Sequence, residues 1–368
     1  MSDPVLIAGA GPVGLAAANV LADAGIPVVV FEAEAALPEN LRASTFHPPT
    51  LDMLARFGAT ERLIAMGRCA PLLQYRDRSG WLAELDFRWI SDLTAHPFRV
   101  QCEQFKLNRV LAERLASIPH AKLSFGAPVI DFEQDGAGVT VRTGGDAPRT
   151  IRGRWLIGAD GGRSVVRETL GIPLEGFTWE DRFLVASTDF AFEEVIPRLA
   201  EVSYFADPDE WYFLLRAPDV WRVMFPVRQD ETEAAVLADA SIERRLQRVW
   251  GKAGPYTVRH RTLYSVHQRV AARYGAGRVF LAGDAAHLNN PLGGMGMNGG
   301  IHDAFNLAEK MVRVWHGAAS DKELDRYERQ RRPIALEYVN TITIANKRNL
   351  ETSDPAEQRR FRETLDRA

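Results

Sequence analysis

The sequence predicts an α/β protein, with α+β character in its second half: a parallel sheet with helices, interleaved with an antiparallel-sheet domain and closed by a helical C-terminal segment. Three observations predict it. An apolar run, Pro4–Ala8, enters the glycine turn Gly9–Gly14 and a helical stretch, and a second apolar run follows from Pro27 to Phe31. A further strand-type run, Val279–Ala282, meets a glycine-dense segment about 270 residues later. Between them, from Phe177 to Arg261, aromatic-rich stretches alternate with period two, as half-buried antiparallel strands do.

Bulk properties narrow the function classes. A chain of 368 residues can build two good cores, and 46% hydrophobic with 25% charged residues is ordinary for a globular enzyme. The net charge of -3, from 45 basic and 48 acidic residues, offers no strong field to nucleic acid or an anionic membrane. Cys69 and Cys102 have no metal-ligand spacing, so neither a disulfide framework nor a metal site is expected. The first apolar run leads into glycines rather than a signal cleavage site, and no apolar stretch is long enough to span a bilayer. A cytoplasmic protein, monomer or homodimer, is the expectation.

The first unit, strand–turn–helix–strand, is Rossmann-like. Gly9, Gly11 and Gly14 form G-x-G-x-x-G, with Pro12 and Val13 opening the helix and Glu32 ending the second strand. Such glycines permit a tight turn, close approach of a pyrophosphate to the helix N-terminus, and close helix–strand packing. The acid at position 32 suits ribose hydroxyls and disfavours a 2′-phosphate, but it separates NAD from FAD no further.

Arg42, the run Ser44–His47 and a helix from about Pro49 come next. Leu72–Phe87 alternates as a hairpin, Arg99–Glu103 returns as a strand, and Gln104–Ser117 has helical spacing of apolar residues. Lys122–Arg154 reads as an antiparallel insertion with turns at Asp135-Gly136 and Gly144-Gly145. Trp155–Arg167 repeats the strand-into-glycine pattern around Asp160. In the aromatic-rich stretch, Tyr204, Tyr212, Arg222 and Met224 are assigned to one inner face, though aromatics on a sheet are core as readily as pocket. Arg222 lies in an apolar strand, where a guanidinium needs a partner: a substrate anion or a buried ion pair. Thr232–Trp250 is expected as one helix.

The segment Gly277–Met311 organises the rest. Asp284 ends the strand and can accept hydrogen bonds from a sugar-like chain. Gly293, Gly294, Gly296, Gly299 and Gly300 then crowd the entry to a helix. Glycine at that density suits bare main chain lying against a flat ligand, and the helix N-terminus suits a pyrophosphate or an electron-rich ring edge.

Three motifs in this order carry a resemblance: Gly9–Gly14 with Glu32, the run Gly158-Ala159-Asp160-Gly161 followed by Ser164, Val166 and Arg167, and Gly283-Asp284 with its loop. Over nearly the whole chain they resemble the class A FAD-dependent aromatic monooxygenases, the para-hydroxybenzoate hydroxylase-like family. The resemblance implies non-covalent FAD, its ribityl chain on Asp284 and its ring carried by Pro291, Gly294, Gly296, Met297 and Asn298. It places Arg42 and Gln104 against FAD, gives Asp160 a part in FAD and nicotinamide handling, and sets His47 beside the substrate. A histidine packed at a helix start is the structural alternative for His47. The co-substrates implied are O2 and transient NADH or NADPH, with oxygen transfer from a flavin C4a-hydroperoxide to a small phenolic or N-heteroaromatic ring. His47, Tyr212, Arg222 and Pro291 are the candidate catalytic residues.

Two departures from the family pattern are visible. Asn290-Pro291 stands where two prolines are common, and Gln330 replaces a glutamate in Tyr327–Pro333. The expected division is 1–70, 99–175 and 265–318 for FAD, 71–98 and 176–264 for substrate, and 319–368 as a helical tail. A flavin dehydrogenase, oxidase or reductase on the same fold is the alternative, and a non-catalytic dinucleotide-binding regulator is the alternative from another class.

Overall fold

The computed structural model describes residues 3–39, 41, 43–78, 80–207 and 209–339, with scattered positions between 341 and 364. At its centre lies Val5–Ala8, fully buried and paired in parallel with Val28–Phe31 on one side and Trp155–Gly158 on the other. Val279–Leu281 and Ala121–Ser124 extend this sheet at its two sides, also in parallel, and Gly275–Ala276 closes one edge antiparallel. The central strands read as unbroken apolar runs because both faces are covered: they share one core with the helix Pro12–Asp23 and with Val129, Phe132, Val139 and Val141. The chain thus brings its first strand beside residues near 157 and, one strand further out, near 280.

The helix Pro12–Asp23 packs along the long helix Met295–Trp315. Their approach depends on two glycines. A Cβ at Gly300 would lie 2.7 Å from Val13 Cγ2 and 3.0 Å from Gly283 Cα, and a Cβ at Gly283 would itself meet Val13 at 2.7 Å. Gly296, Gly299 and Gly300 therefore lie inside the helix rather than ahead of it, and Gly300 serves helix packing rather than a ligand.

The stretch 122–154 departs from expectation. Ala121–Ser124 joins the parallel sheet, because the helix Gln104–Ala116 acts as a crossover between parallel strands. Only Val129–Gln134, Val139–Thr143 and Thr150–Gly153 form the antiparallel layer.

A second, eight-stranded sheet carries the aromatic half. Its order is His287–Leu288, Val258–Ala271, Leu174–Thr188, Trp221–Val227, Tyr212–Arg216, Val202–Phe205, Leu72–Asp77 and Gly80–Asp86. The hairpin 72–86 joins through a parallel pairing with Val202–Phe205, and the remaining pairs are antiparallel. One face packs on helices around Leu214, Trp221, Phe225, Ile242 and Leu246. The other gathers Phe183, Val202, Tyr204, Phe213 and Met224 with Leu292 of the glycine-rich loop.

This division corrects the assignment of Tyr212. Tyr204 pairs with Phe213 and Phe205 with Tyr212, so strand alternation sends Tyr212 to the helix-covered face, stacked on Phe205 at 4.6 Å. Phe213 holds the inner position instead. The helix expected over 232–250 is two, Glu233–Leu237 and Asp239–Val249, separated by Ala238 in an extended conformation. Near the C-terminus, Asp325–Pro333 is α-helical and passes directly into a π-helical turn, Ile334–Val339. That change follows Pro333, which has no N–H for the α ladder.

Candidate active site

The first glycine turn is locked by two of its three glycines and left open at the third. Gly9 has φ +97°, and a Cβ there would lie 2.4 Å from the Ala159 carbonyl oxygen. A Cβ on Gly14 would lie 2.0 Å from the carbonyl oxygen of Gly9, whereas one on Gly11 would meet nothing within 4 Å. Gly11 caps the helix Pro12–Asp23, so the open space lies at a helix N-terminus. Glu32 accepts the Ala10 N–H at 2.8 Å and the Glu34 N–H at 3.0 Å, which fixes its carboxylate over the turn. These features fit the adenosine and pyrophosphate half of FAD.

Asp160 sits in the second glycine turn. Its carboxylate accepts from Ser164 Oγ at 2.5 Å and from the Val166 N–H at 3.1 Å. Burial raises its pKa, against the pull of these hydrogen bonds. Its bonds thus serve the turn and the short helix Val165–Thr169. Arg167 then donates to the carbonyls of Gly162 and Ala285, tying this turn to the one that bears Asp284.

Asp284 lies exposed in a single 3-10 turn, Gly283–Ala285. Beneath the turn, Asp303 is fully buried and accepts from the Gly283 N–H at 3.2 Å, His287 Nε2 at 2.7 Å and Arg331 Nε at 2.6 Å. Burial alone would raise the Asp303 pKa, but His287 and Arg331 outweigh it and hold the carboxyl below its usual value. Tyr327 Oη donates to the Leu281 carbonyl at 2.6 Å, and Gln330 accepts from Asn306 Nδ2 at 3.1 Å. Sequence reasoning passed over Asp303. Its spacing of three from Gly300 and four from Leu307, on one apolar helix face, was the available signal.

The glycine-rich loop faces the second sheet. The Gly294 N–H donates to the Pro291 carbonyl at 2.9 Å, and Gly293 and Gly294 have φ +95° and +70°, a region that favours glycine. Met297 is buried in the first turn of the following helix, and a Cβ on Gly296 would contact Asn289 Oδ1 at 3.4 Å. Asn298 staples the loop to a distant segment. It accepts the His47 N–H at 3.0 Å and donates to the carbonyls of Thr45 at 2.8 Å and Gly294 at 2.7 Å. Residues 43–44 also run beside 102–104: the Gln104 N–H donates to the Ala43 carbonyl and the Cys102 N–H to the Ser44 carbonyl. Arg222, from the second sheet, donates to Ser44 Oγ at 3.1 Å. His47, Gln104, Arg222, Pro291 and Asn298 therefore converge on one region, while Tyr212 lies across the sheet. Arg42 falls outside the described residues.

This region holds residues that sequence reasoning missed. Arg99, from the strand Arg99–Gln101, is hydrogen-bonded with Tyr204 and lies with its guanidinium carbon 5.0 Å from the Phe87 ring centre. Tyr75 and Tyr204 stack at 5.5 Å, and the backbone of Gly293 contacts both Tyr204 and His47. His47, Tyr75, Arg99 and Tyr264 are ringed by protein yet each keeps some accessible surface, as groups lining an internal space do. Burial, and then the charge of Arg99, depress the His47 pKa well below its ordinary value. Burial raises the pKa of Tyr75, Tyr204 and Tyr264, so all three phenols stay protonated at neutral pH.

Comparison with known proteins agrees with this geometry. The family described as FAD binding domain matches residues 2–341. The chain belongs to this family of FAD-dependent aromatic monooxygenases. It is 35% identical to para-nitrophenol 4-monooxygenase of Pseudomonas sp. (strain WBC-3) over 97% of this chain and 89% of the relative. It is 36% identical to 6-hydroxy-3-succinoylpyridine 3-monooxygenase of Pseudomonas putida over 97% of this chain and 91% of the relative. The crystal structure of p-nitrophenol 4-monooxygenase from Pseudomonas putida DLL-E4 superposes with a TM-score of 0.93 at 33% identity, covering 100% of this chain and 94% of that one. FAD is thus the cofactor of this monooxygenase and NAD(P)H its co-substrate. No helix among the described residues is long and apolar enough to cross a membrane.

Proposed function

We propose that this monooxygenase hydroxylates a small aromatic ring that already bears a hydroxyl, phenolic or N-heteroaromatic, held between the aromatic face of the eight-stranded sheet and the loop Pro291–Gly294. One observation carries the reading: Leu292 of that loop is packed into the Tyr204–Phe213–Met224 face, beside the space lined by His47, Tyr75, Arg99 and Tyr264. The two relatives named above act on para-nitrophenol and 6-hydroxy-3-succinoylpyridine, both hydroxylated rings.

In this reading residues 1–70, 99–175 and 265–318 serve FAD, 71–98 and 176–264 serve the substrate, and the chain works in the cytoplasm as a monomer or homodimer. FAD supplies the electron-transfer and oxygen chemistry when bound. Gly11 and the helix start take its pyrophosphate, Glu32 its adenosine ribose, Asp284 its ribityl hydroxyls, and the backbone of 293–298 its ring edge. The protein's own part is to orient the substrate and exclude water. The tyrosine stack and Met224 offer the ring an apolar wall, and Asn298 keeps the loop registered against His47. Arg222 holds the 43–47 segment through Ser44. NADH or NADPH docks transiently near the flavin edge.

The test is a screen of phenols and hydroxypyridines on the FAD-loaded enzyme, following NAD(P)H oxidation and product by mass. Hydroxylated product from at least one such ring is expected. Oxidation of NAD(P)H with no oxygenated product from any of them would refute the assignment to this substrate class.

A further inference from the structure

We propose that Arg99 is the anion-binding residue of the substrate space, so that the aromatic ring is held as its phenolate rather than as the neutral phenol. This rests on the reading that the space takes a hydroxylated ring, and it names the form of the ring that is held.

The guanidinium of Arg99 is enclosed beside Tyr204 and Phe87, its Nε has no hydrogen-bond partner, and no carboxylate among the described residues forms an ion pair with it. The groups acting most strongly on its charge are the phenols of Tyr204 and Tyr75, and burial lowers its pKa. An enclosed cation without a counter-ion is costly, and an entering anion offsets that cost. Arg222 differs: it donates to Ser44 and feels the carboxylate of Glu103, so its charge is already partly balanced. His47 cannot take the anion's charge, because burial and Arg99 itself keep its imidazole neutral at working pH. Its Nε2, without a partner of its own, is left for a hydrogen bond.

Geometry makes the site selective. The Phe87 ring under the guanidinium and the hydrogen bond with Tyr204 hold Arg99 in place. The same tyrosine contacts Gly293, so the cation sits beside the glycine-rich loop that faces the flavin ring in the proposed arrangement. A phenolate oxygen at Arg99 would accept charge-assisted hydrogen bonds, while its ring lies along the Tyr75–Tyr204 stack. The neutral phenol or its methyl ether would leave the guanidinium unanswered.

The test uses the oxidised, FAD-loaded enzyme with nitrophenol isomers as probes, because phenol and phenolate differ in colour. With wild type, the bound probe is expected to show the phenolate spectrum about one pH unit below the free probe's pKa, which is about a 10-fold preference for the anion. Arg99→Met should remove that preference and weaken binding by about 10-fold or more, with FAD content unchanged, and Arg99→Lys should restore part of it. 4-Nitroanisole should bind weakly to wild type and no worse to the methionine variant.

A neutral-phenol spectrum on wild type, or an undiminished phenolate spectrum on Arg99→Met, overturns the role of Arg99 and leaves the aromatic-substrate reading standing. Failure of every nitrophenol to bind wild type counts against both. If Arg99→Met does not fold, the wild-type spectrum and the lysine variant still decide.

Discussion

Two substitutions in the same glycine turn should fail in different ways, and the contrast tests where FAD lies. Gly11 has φ -72° and ψ -179°, ordinary extended backbone, and a Cβ there meets no protein atom within 4 Å. Gly11→Val should therefore cost the apoprotein no more than about 1 kcal/mol, the usual penalty for an apolar residue at a helix N-cap. The valine methyls would instead occupy the space assigned to the pyrophosphate. Loss of two hydrogen bonds to that charged group, at about 1.5–3 kcal/mol each, is about 3–6 kcal/mol. That weakens FAD by roughly 10²- to 10⁴-fold. At Gly14 the added carbon would lie 2.0 Å from the Gly9 carbonyl oxygen, and main chain has nowhere to move. Gly14→Ala should lose about 1–3 kcal/mol or more of stability along with FAD. Quenching of flavin fluorescence gives the FAD affinity, and urea unfolding of the apoprotein gives the stability. Wild-type FAD affinity in Gly11→Val, or apoprotein destabilisation equal to that of Gly14→Ala, would refute the assignment.

Three further outcomes are expected. Asp303→Asn leaves Arg331 without its buried counter-charge and should cost about 3–5 kcal/mol while weakening FAD, read from the urea midpoint and a flavin titration; wild-type values of both would remove the brace assigned to it. Tyr204→Phe deletes the Arg99 hydrogen bond and should raise the substrate KM by roughly 10- to 100-fold, whereas Tyr212→Phe, on the far face, should leave it within about 2-fold; steady-state kinetics of the pair would expose a wrong face. A true substrate should speed NAD(P)H oxidation at least ~10-fold, a barrier change of about 1.4 kcal/mol, in stopped-flow reduction with and without it; equal rates would point to an oxidase or reductase.

What the sequence disclosed follows from what is local. Strand runs, period-two alternation and glycine turns are written in neighbouring residues, and they suffice for the first strand–turn–helix–strand unit and the antiparallel half, but not for Ala121–Ser124, which the crossover helix delivers to the parallel sheet. Facing is not local. Whether Tyr204 or Tyr212 looks inward depends on the register that pairs 202–205 with 212–216, which the intervening turn sets. The split at Ala238 follows from a single extended residue in a stretch that otherwise has helical spacing. Gly300 shows a second limit: glycine density marks close approach, but composition does not say whether a ligand or another helix comes close.

The active region is the least local feature of all, because its members meet only through long-range contacts. Asn298 reaches residues 45 and 47, Arg167 reaches Ala285, and Arg331 reaches Asp303. The strand His287–Leu288, immediately beyond the Asp284 turn, adds to the edge of the other sheet by pairing with Val258–Ala271. A few residues after leaving the parallel sheet, the chain therefore belongs to the antiparallel one, and the glycine-rich loop is held at the junction. Removing one tie, such as Asn298, should loosen both walls at once, since it holds the loop through Gly294 and the His47 segment through Thr45. Arg99 stayed hidden for the same reason. In the sequence it is one charged residue opening the strand expected over Arg99–Glu103, which folds as Arg99–Gln101. Its meaning comes from Tyr75, Phe87 and Tyr204, which the fold brings around it, and from the absence of any carboxylate among them.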